Sequence, residues 1–158
     1  MRNDRAMRQM VAAISNQTAW VRAADYGVTV NTVAQSAGTF LDRGIQFAMQ
    51  GDYANAIADF TEAIRLNPDL VGAYILRGRA RGYLALGKSD TDAALGDFTQ
   101  ALRIDPNYTN AYNGRGVVYQ MKGDHARAIA DLEAALRIVP NNAKYRQNLE
   151  RSQQALRR

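Results

Sequence analysis

The sequence predicts an all-α fold in which three helical hairpins stack into an α–α superhelix, with an N-terminal helical extension and a C-terminal capping helix. First, one block of sequence occurs three times. Second, each copy holds two stretches in which apolar residues recur every three or four positions, the spacing of one helix face. Third, each copy closes at a proline, Pro68, Pro106 or Pro140. A block of sequence that recurs in this way indicates structural units that bury their apolar faces against one another.

The first helix of each copy contains an aromatic residue followed by Arg-Gly, and the second contains Ala, then Asp, then Phe or Leu. These landmarks are Phe40–Gly44, Tyr74–Gly78 and Tyr112–Gly116 in the first helix and Ala56–Phe60, Ala94–Phe98 and Ala128–Leu132 in the second. The glycines and alanines allow two helix backbones to approach closely, and the aromatic side chains fill the remaining space. We therefore expect each copy to be a tightly packed helical pair.

The middle copy is longer than the others. The spacing from Pro106 to Pro140 is 34 residues, whereas that from Pro68 to Pro106 is 38. The four extra residues lie between Arg81 and Ala94, where Gly87 can end one helix and Ser89 or Asp90 can cap the next. We expect a lengthened hairpin turn in this copy.

Over Ala37–Asn142 the pattern resembles the tetratricopeptide repeat family. The family's Leu position holds Arg43, Arg77 and Arg115, and its Tyr position holds Arg81 in the middle copy. Because the Arg-Gly version resembles a subtype common in bacterial repeats, we predict a structural role for these three arginines, each guanidinium reaching the rim or a neighbouring acid.

The resemblance implies repeats at 37–70, 71–108 and 109–142, and a right-handed superhelix whose concave surface is formed by the first helix of each hairpin. It also implies a capping helix at 143–158. Within that helix we expect Tyr145, Leu149 and Ala155-Leu156 to face the stack, and the charged residues, Lys144 and Arg151 among them, to face solvent.

By the same analogy, the concave surface carries a set of groove residues from all three repeats. They are Leu41, Ile45, Met49, Ile75, Arg79, Tyr83, Asn110, Asn113, Val117, Gln120 and Met121. A groove of this composition suits a helix or an extended peptide with aliphatic anchors. We therefore predict a non-catalytic scaffold or adaptor that binds a protein or peptide partner.

One specialisation of the family does not fit. Members that clamp the acidic C-terminal tails of heat-shock chaperones place Lys and Asn in the first repeat, Asn in the second, and Lys with Arg in the third. The corresponding positions here hold Leu41 and Ile45, then Leu76, then Asn110 and Gly114. We do not expect that clamp in this chain.

Residues 1–36 predict an amphipathic helix followed by a connector. Apolar side chains recur at helical spacing through Met7, Met10, Ile14 and Val21, and an alternating β-branched run follows at 28–33. The helix has three destinations: capping the first repeat, lying in the groove, or pairing with another copy. Pairing would make the chain a self-assembling structural protein and a homo-oligomer, the alternative to the adaptor.

Composition limits the remaining function classes. The net charge of +5 comes from arginines scattered among 15 acids, so nucleic acid is not an expected partner. No apolar run predicts a membrane span. With no cysteine and a single histidine, His125, in a turn, we predict no metal, no cofactor and no enzymatic activity. Cytoplasm is the default location, although a chain whose signal sequence had been removed would have the same pattern.

Overall fold

A computed structural model describes residues 36–84 and 91–158, which form seven α-helices and no strand. The helices are α1 (Ala37–Met49), α2 (Tyr53–Leu66), α3 (Val71–Leu84), α4 (Thr91–Ile104), α5 (Thr109–Met121), α6 (His125–Ile138) and α7 (Ala143–Leu156). The predicted all-α fold is confirmed. The N-terminal amphipathic helix with its three destinations, and the helix end at Gly87 with its caps, lie outside the described residues.

The first and third hairpins share one turn, built from a glycine and an aspartate. Gly51 and Gly123 have φ angles of +79° and +76°, a left-handed conformation that glycine adopts without steric cost. The next residue, Asp52 or Asp124, accepts a hydrogen bond from the backbone amide of the third residue of the following helix. The chain thus reverses direction in three residues.

The middle hairpin keeps the helix register of the other two. Helix α3 begins three residues before Tyr74, as α1 begins three residues before Phe40, and α4 begins three residues before Ala94, as α2 does before Ala56. The extra residues of the middle copy therefore fall between α3 and α4, as its spacing predicts.

The helices form two layers. Each hairpin packs its two helices together, and α1, α3, α5 and α7 also contact one another in sequence. In the described part of the chain, contacts between α2 and α4 or between α4 and α6 are marginal at most. Because the first-helix layer is the closer-spaced one, it forms the concave side of the stack. None of the described helices is both long and apolar enough to cross a membrane.

Each hairpin is closed by a large side chain of the second helix that packs against a glycine of the first. Phe60, Phe98 and Leu132 are fully buried or nearly so. A Cβ atom added at Gly44 would lie 2.6 Å from Phe60 Cε1, and one at Gly78 would lie 3.1 Å from Phe98 Cζ. At Gly44 the ring leaves no room for a methyl group, and at Gly78 the neighbouring atoms would have to shift by a few tenths of an ångström, so glycine allows the two helices to approach this closely.

An arginine of each first helix forms a bidentate ion pair with the buried aspartate of the second. Arg43 donates to Asp59 at 2.6 and 2.7 Å, Arg115 donates to Asp131 at 2.8 and 2.7 Å, and the closest contact of Arg77 with Asp97 is 2.7 Å. The guanidinium reaches a neighbouring acid, as predicted. These hydrogen bonds raise the pKa of Arg43 and of Arg115 above the ordinary arginine value, so both stay charged.

Two of these arginines also join successive repeats. Arg77 donates to Thr61 Oγ1 at 3.1 Å, and Arg115 donates to Thr99 Oγ1 at 3.2 Å. Each threonine belongs to the second helix of the preceding hairpin. Arg77 and Arg115 therefore each connect three helices: their own, the second helix of the same hairpin and the second helix of the preceding hairpin.

The substitution Asp97→Asn should lower the free energy of unfolding by about 3 kcal/mol, because it removes the buried carboxylate that pairs with Arg77, a side chain only 14% exposed. It also removes one partner of Arg81. Asp59→Asn should cost about 1 kcal/mol, since Arg43 is 44% exposed and water can solvate it. Urea denaturation of both variants measures the difference. Equal costs would show that burial of the arginine does not matter.

Candidate functional site

A cavity of about 400 Å³ opens between α3, α5 and α7, with one side chain of α4 at its base. We call it the C-terminal groove. Its lining residues are Ile75, Gly78, Arg79, Gly82 and Tyr83 of α3, Phe98 of α4, Asn110, Asn113, Gly114, Val117, Val118 and Met121 of α5, and Lys144, Asn148 and Arg151 of α7.

The floor of the C-terminal groove is the ring of Phe98. Gly78 of α3 and Gly114 of α5 both face this ring, and a Cβ atom at Gly114 would lie 2.6 Å from Phe98 Cζ. Because neither glycine carries a side chain, the ring is part of the cavity surface although it is only 1% exposed.

The first half of the array differs at the same place. The position equivalent to Gly114 in the preceding repeat is Leu76, which packs with Leu41 and Ile45 against the core around Ala56 and Phe60. These side chains fill the space between α1 and α3. The corresponding space between α3 and α5 stays open. Because Gly114 stands where the preceding repeat has Leu76, the cavity opens in the C-terminal half of the array.

Seven of the eleven predicted groove residues line this cavity. They are Ile75, Arg79, Tyr83, Asn110, Asn113, Val117 and Met121. Leu41 and Ile45 are half-buried against the core, and Met49 is 83% exposed at the end of α1. Gln120 donates to the carbonyl oxygen of Asn148 at 2.7 Å and to Ser152 Oγ, so its amide is engaged in holding α7.

Helix α7 is attached to the stack through polar groups. Tyr145, Asn148 and Ser152 are its buried side chains. Tyr145 Oη donates to Asn110 Oδ1 at 2.8 Å, and Asn148 Nδ2 donates to Asn113 Oδ1 at 2.9 Å. These bonds fix the orientation of two groove asparagines, and this network was absent from the sequence prediction.

The sequence prediction for α7 was wrong at its C-terminal end. Leu156 is 60% exposed instead of facing the stack, while Ser152 is fully buried. Lys144 and Arg151 are exposed as predicted, yet both line the C-terminal groove. The buried face of α7 reads as polar in the sequence, because asparagine and serine occupy it at the i, i+4 spacing.

No group of three His, Cys, Asp or Glu side chains that could hold a metal ion is found among the described residues. The polar side chains that line the C-terminal groove carry guanidinium, ammonium and amide groups, and Tyr83 is a phenol among them. This arrangement can donate hydrogen bonds and attract negative charge, and its apolar floor can accept a side chain.

Two family models of the tetratricopeptide repeat match the chain, one over residues 37–70 and one over 79–143. No curated protein sequence matched it.

Several solved structures are similar to the chain. The first TPR of Spaghetti (RPAP3) bound to the HSP90 peptide SRMEEVD is 28% identical with a TM-score of 0.72, over 78% of this chain and 98% of that one. The first TPR domain of human RPAP3 is 26% identical with a TM-score of 0.73, over 77% and 93%. The second TPR domain of human RPAP3, in complex with the HSP70 peptide SGPTIEEVD, is 29% identical with a TM-score of 0.67, over 74% and 94%.

Replacing Gly114 with alanine should destabilise the protein by about 1–3 kcal/mol, because the new methyl group overlaps the buried ring of Phe98. Gly96 is the matched control: it is an exposed glycine within α4, and a Cβ atom added there would have no neighbour within 4 Å. Gly96→Ala should stabilise by about 0.5–1 kcal/mol through helix propensity alone. Thermal melts followed by circular dichroism test both, and a stabilised Gly114→Ala variant would contradict the packing described.

Proposed function

Since this chain belongs to the tetratricopeptide repeat family, we propose that it is a non-catalytic scaffold that binds a peptide segment of a partner protein in the C-terminal groove. The observation that carries the proposal is the cavity itself, about 400 Å³ in volume and bordered by three helices. Cavities of this size accommodate one or two side chains of a docked segment.

The lining of the C-terminal groove supports a peptide as the ligand. Its base and walls include apolar groups of Ile75, Phe98 and Val117, against which an aliphatic or aromatic side chain can bury its surface. The amide groups of Asn110 and Asn113 stand beside these walls and can bond a peptide carbonyl. A peptide supplies both an apolar side chain and a row of carbonyl oxygens.

A tyrosine pair supports the rim of the C-terminal groove. The ring of Tyr83 stacks on Tyr53 of α2 with a centroid distance of 5.1 Å and an interplanar angle of 14°. Tyr83 is nevertheless 50% exposed. The stacking restricts its rotamers before any ligand arrives, so binding to this ring costs little side-chain entropy.

The similar structures support the same kind of ligand. Two of them hold bound peptides, one from HSP90 and one from HSP70. We extend to this chain only the use of the fold as a peptide holder, because the clamp positions hold Leu41, Ile45 and Leu76 instead of Lys and Asn. A longer partner would continue from the C-terminal groove along α1, where Met49 offers an exposed apolar side chain.

A phage-displayed library of random 12-residue peptides, selected on the immobilised full chain, tests this function. We expect enriched peptides whose affinity falls at least about tenfold on the substitution Met121→Glu, which puts a charge into the groove wall. Fluorescence anisotropy with synthetic copies of the peptides measures the affinity.

The matched control is Ile138→Glu. Met121 and Ile138 are 41% and 42% exposed, and each ends a helix, but only Met121 lines the C-terminal groove. The control variant should bind the enriched peptides with unchanged affinity. Peptides that bind both variants equally well would place the binding surface elsewhere on the chain.

A further inference from the structure

Three cations of the C-terminal groove have no counter-ion within the described part of the chain. Arg79 extends from α3, and Lys144 and Arg151 extend from α7. Cations deeper in the stack pair with carboxylates, as Arg77 does with Asp97 and Arg115 does with Asp131. The positive charge of the groove is therefore available to a ligand.

The asparagines of the groove add donors of the same polarity. Asn110 accepts a hydrogen bond from Tyr145 at its Oδ1 atom, and Asn113 accepts one from Asn148 at its Oδ1 atom. Since each Oδ1 already accepts a hydrogen bond from α7, the two N–H groups of Nδ2 are the donors that each side chain offers to a ligand. No hydrogen bond from either Nδ2 is formed among the described residues.

No acidic side chain is among the described residues that line the cavity. The carboxylate beside its floor is that of Asp97, whose Cβ lies 3.2 Å from the Cβ position of Gly78. Both oxygens of Asp97 are occupied, by Arg77 and by Arg81. The C-terminal groove consequently presents three positive charges and amide donors, with no carboxylate among its lining residues to offset them.

Three occupants of the C-terminal groove can be compared: residues 1–35 of the same chain, a second copy of the chain, and a partner protein. The positive charge of the groove discriminates between them. Residues 1–35 of the same chain carry four arginines and two aspartates, a net charge of 4 − 2 = +2, and the whole chain carries +5. Both that segment and a second copy carry the same sign of net charge as the groove, which disfavours them as occupants. A partner with carboxylate groups complements a positive groove, and guanidinium forks match carboxylates in two-point hydrogen bonds.

We propose that the segment bound in the C-terminal groove is acidic, with Asp or Glu carboxylates held by Arg79, Lys144 and Arg151 and one apolar side chain placed over Phe98. This inference rests on the proposed peptide-binding function. Lys144 and Arg151 come from α7, outside the three repeats in which chaperone-tail clamps place their side chains. Side-chain carboxylates inside a segment are therefore sufficient, and a free C-terminus is not required.

The displayed peptides test this directly, because their C-termini are fused to the coat protein. Peptides whose binding depends on Met121 should carry net negative charge and at least one large apolar residue. Their affinity should weaken about tenfold between about 50 mM and about 500 mM NaCl, as screened ion pairs do. Neutral or basic sequences among them would overturn the acidic assignment and leave the peptide-binding function standing.

Charge reversal locates the contact. The double variant Lys144→Glu with Arg151→Glu should bind the acidic peptides at least about tenfold more weakly. The control is Arg146→Glu, which changes the charge at one site of the same helix by the same amount. The guanidinium of Arg146 donates to the carbonyl oxygen of Pro140 and does not line the groove. All three positions are exposed, so the variants should fold, as circular dichroism melts can verify.

An affinity within twofold of wild type for the double variant would overturn the assignment of carboxylates to α7. If no enriched peptide depended on Met121, the peptide-binding function and the acidic assignment would both be wrong. Inorganic phosphate at millimolar concentration should compete less strongly than the acidic peptide itself. Equally strong competition would show a general anion site and would overturn the assignment of a peptide-specific site.

Discussion

The contact between a glycine of one helix and a large side chain of the next sets the geometry of every hairpin. Gly44 packs against Phe60 with no space for a methyl group, and Gly78 packs against Phe98 at a distance that a methyl group would crowd. This close approach brings the arginine before each glycine within reach of the buried aspartate before each large side chain. The apolar contact and the ion pair thus occur together, one residue apart on both helices.

The stacking of hairpins follows from the same arginines. Because Arg77 and Arg115 also donate to threonines of the preceding hairpin, an ion pair within one repeat is tied to the position of its neighbour. A leucine in this position could pack, but it could not form that directional link. The guanidinium carbons of Arg43, Arg77 and Arg115 lie 5.2–5.9 Å from the ring centroids of Phe40, Tyr74 and Tyr112, so each arginine also makes a cation–π contact within its own helix.

The binding surface arises where the repeats stop being alike. Gly114 stands where the preceding repeat has Leu76, and α7 packs against the third hairpin. The glycine leaves a cavity open over Phe98, and α7 borders this cavity with Lys144 and Arg151. Specificity in such a fold therefore lies in residues that depart from the consensus.

Sequence periodicity predicted the features that recur. The hairpins and the role of Arg43, Arg77 and Arg115 repeat, so three copies report on each of them, and the extra residues between α3 and α4 are evident because they interrupt an otherwise regular spacing. Helix α7 occurs once, and its inner face carries Asn148 and Ser152, which hydropathy assigns to solvent. That is why Leu156 was placed wrongly and the charged border of the cavity was missed. Which side chains surround the cavity depends on the distances between three stacked helices. A sequence pattern does not contain those distances.

The central claim, that the space between α3, α5 and α7 is the binding site, is tested most directly by NMR. Amide chemical shifts of the isotope-labelled full chain would be followed during titration with a peptide obtained by selection. We predict the largest shifts at groove positions such as Gly82, Val117 and Lys144, with small shifts along the outer faces of α2 and α6. Large shifts on those outer faces, with the groove unchanged, would contradict the account.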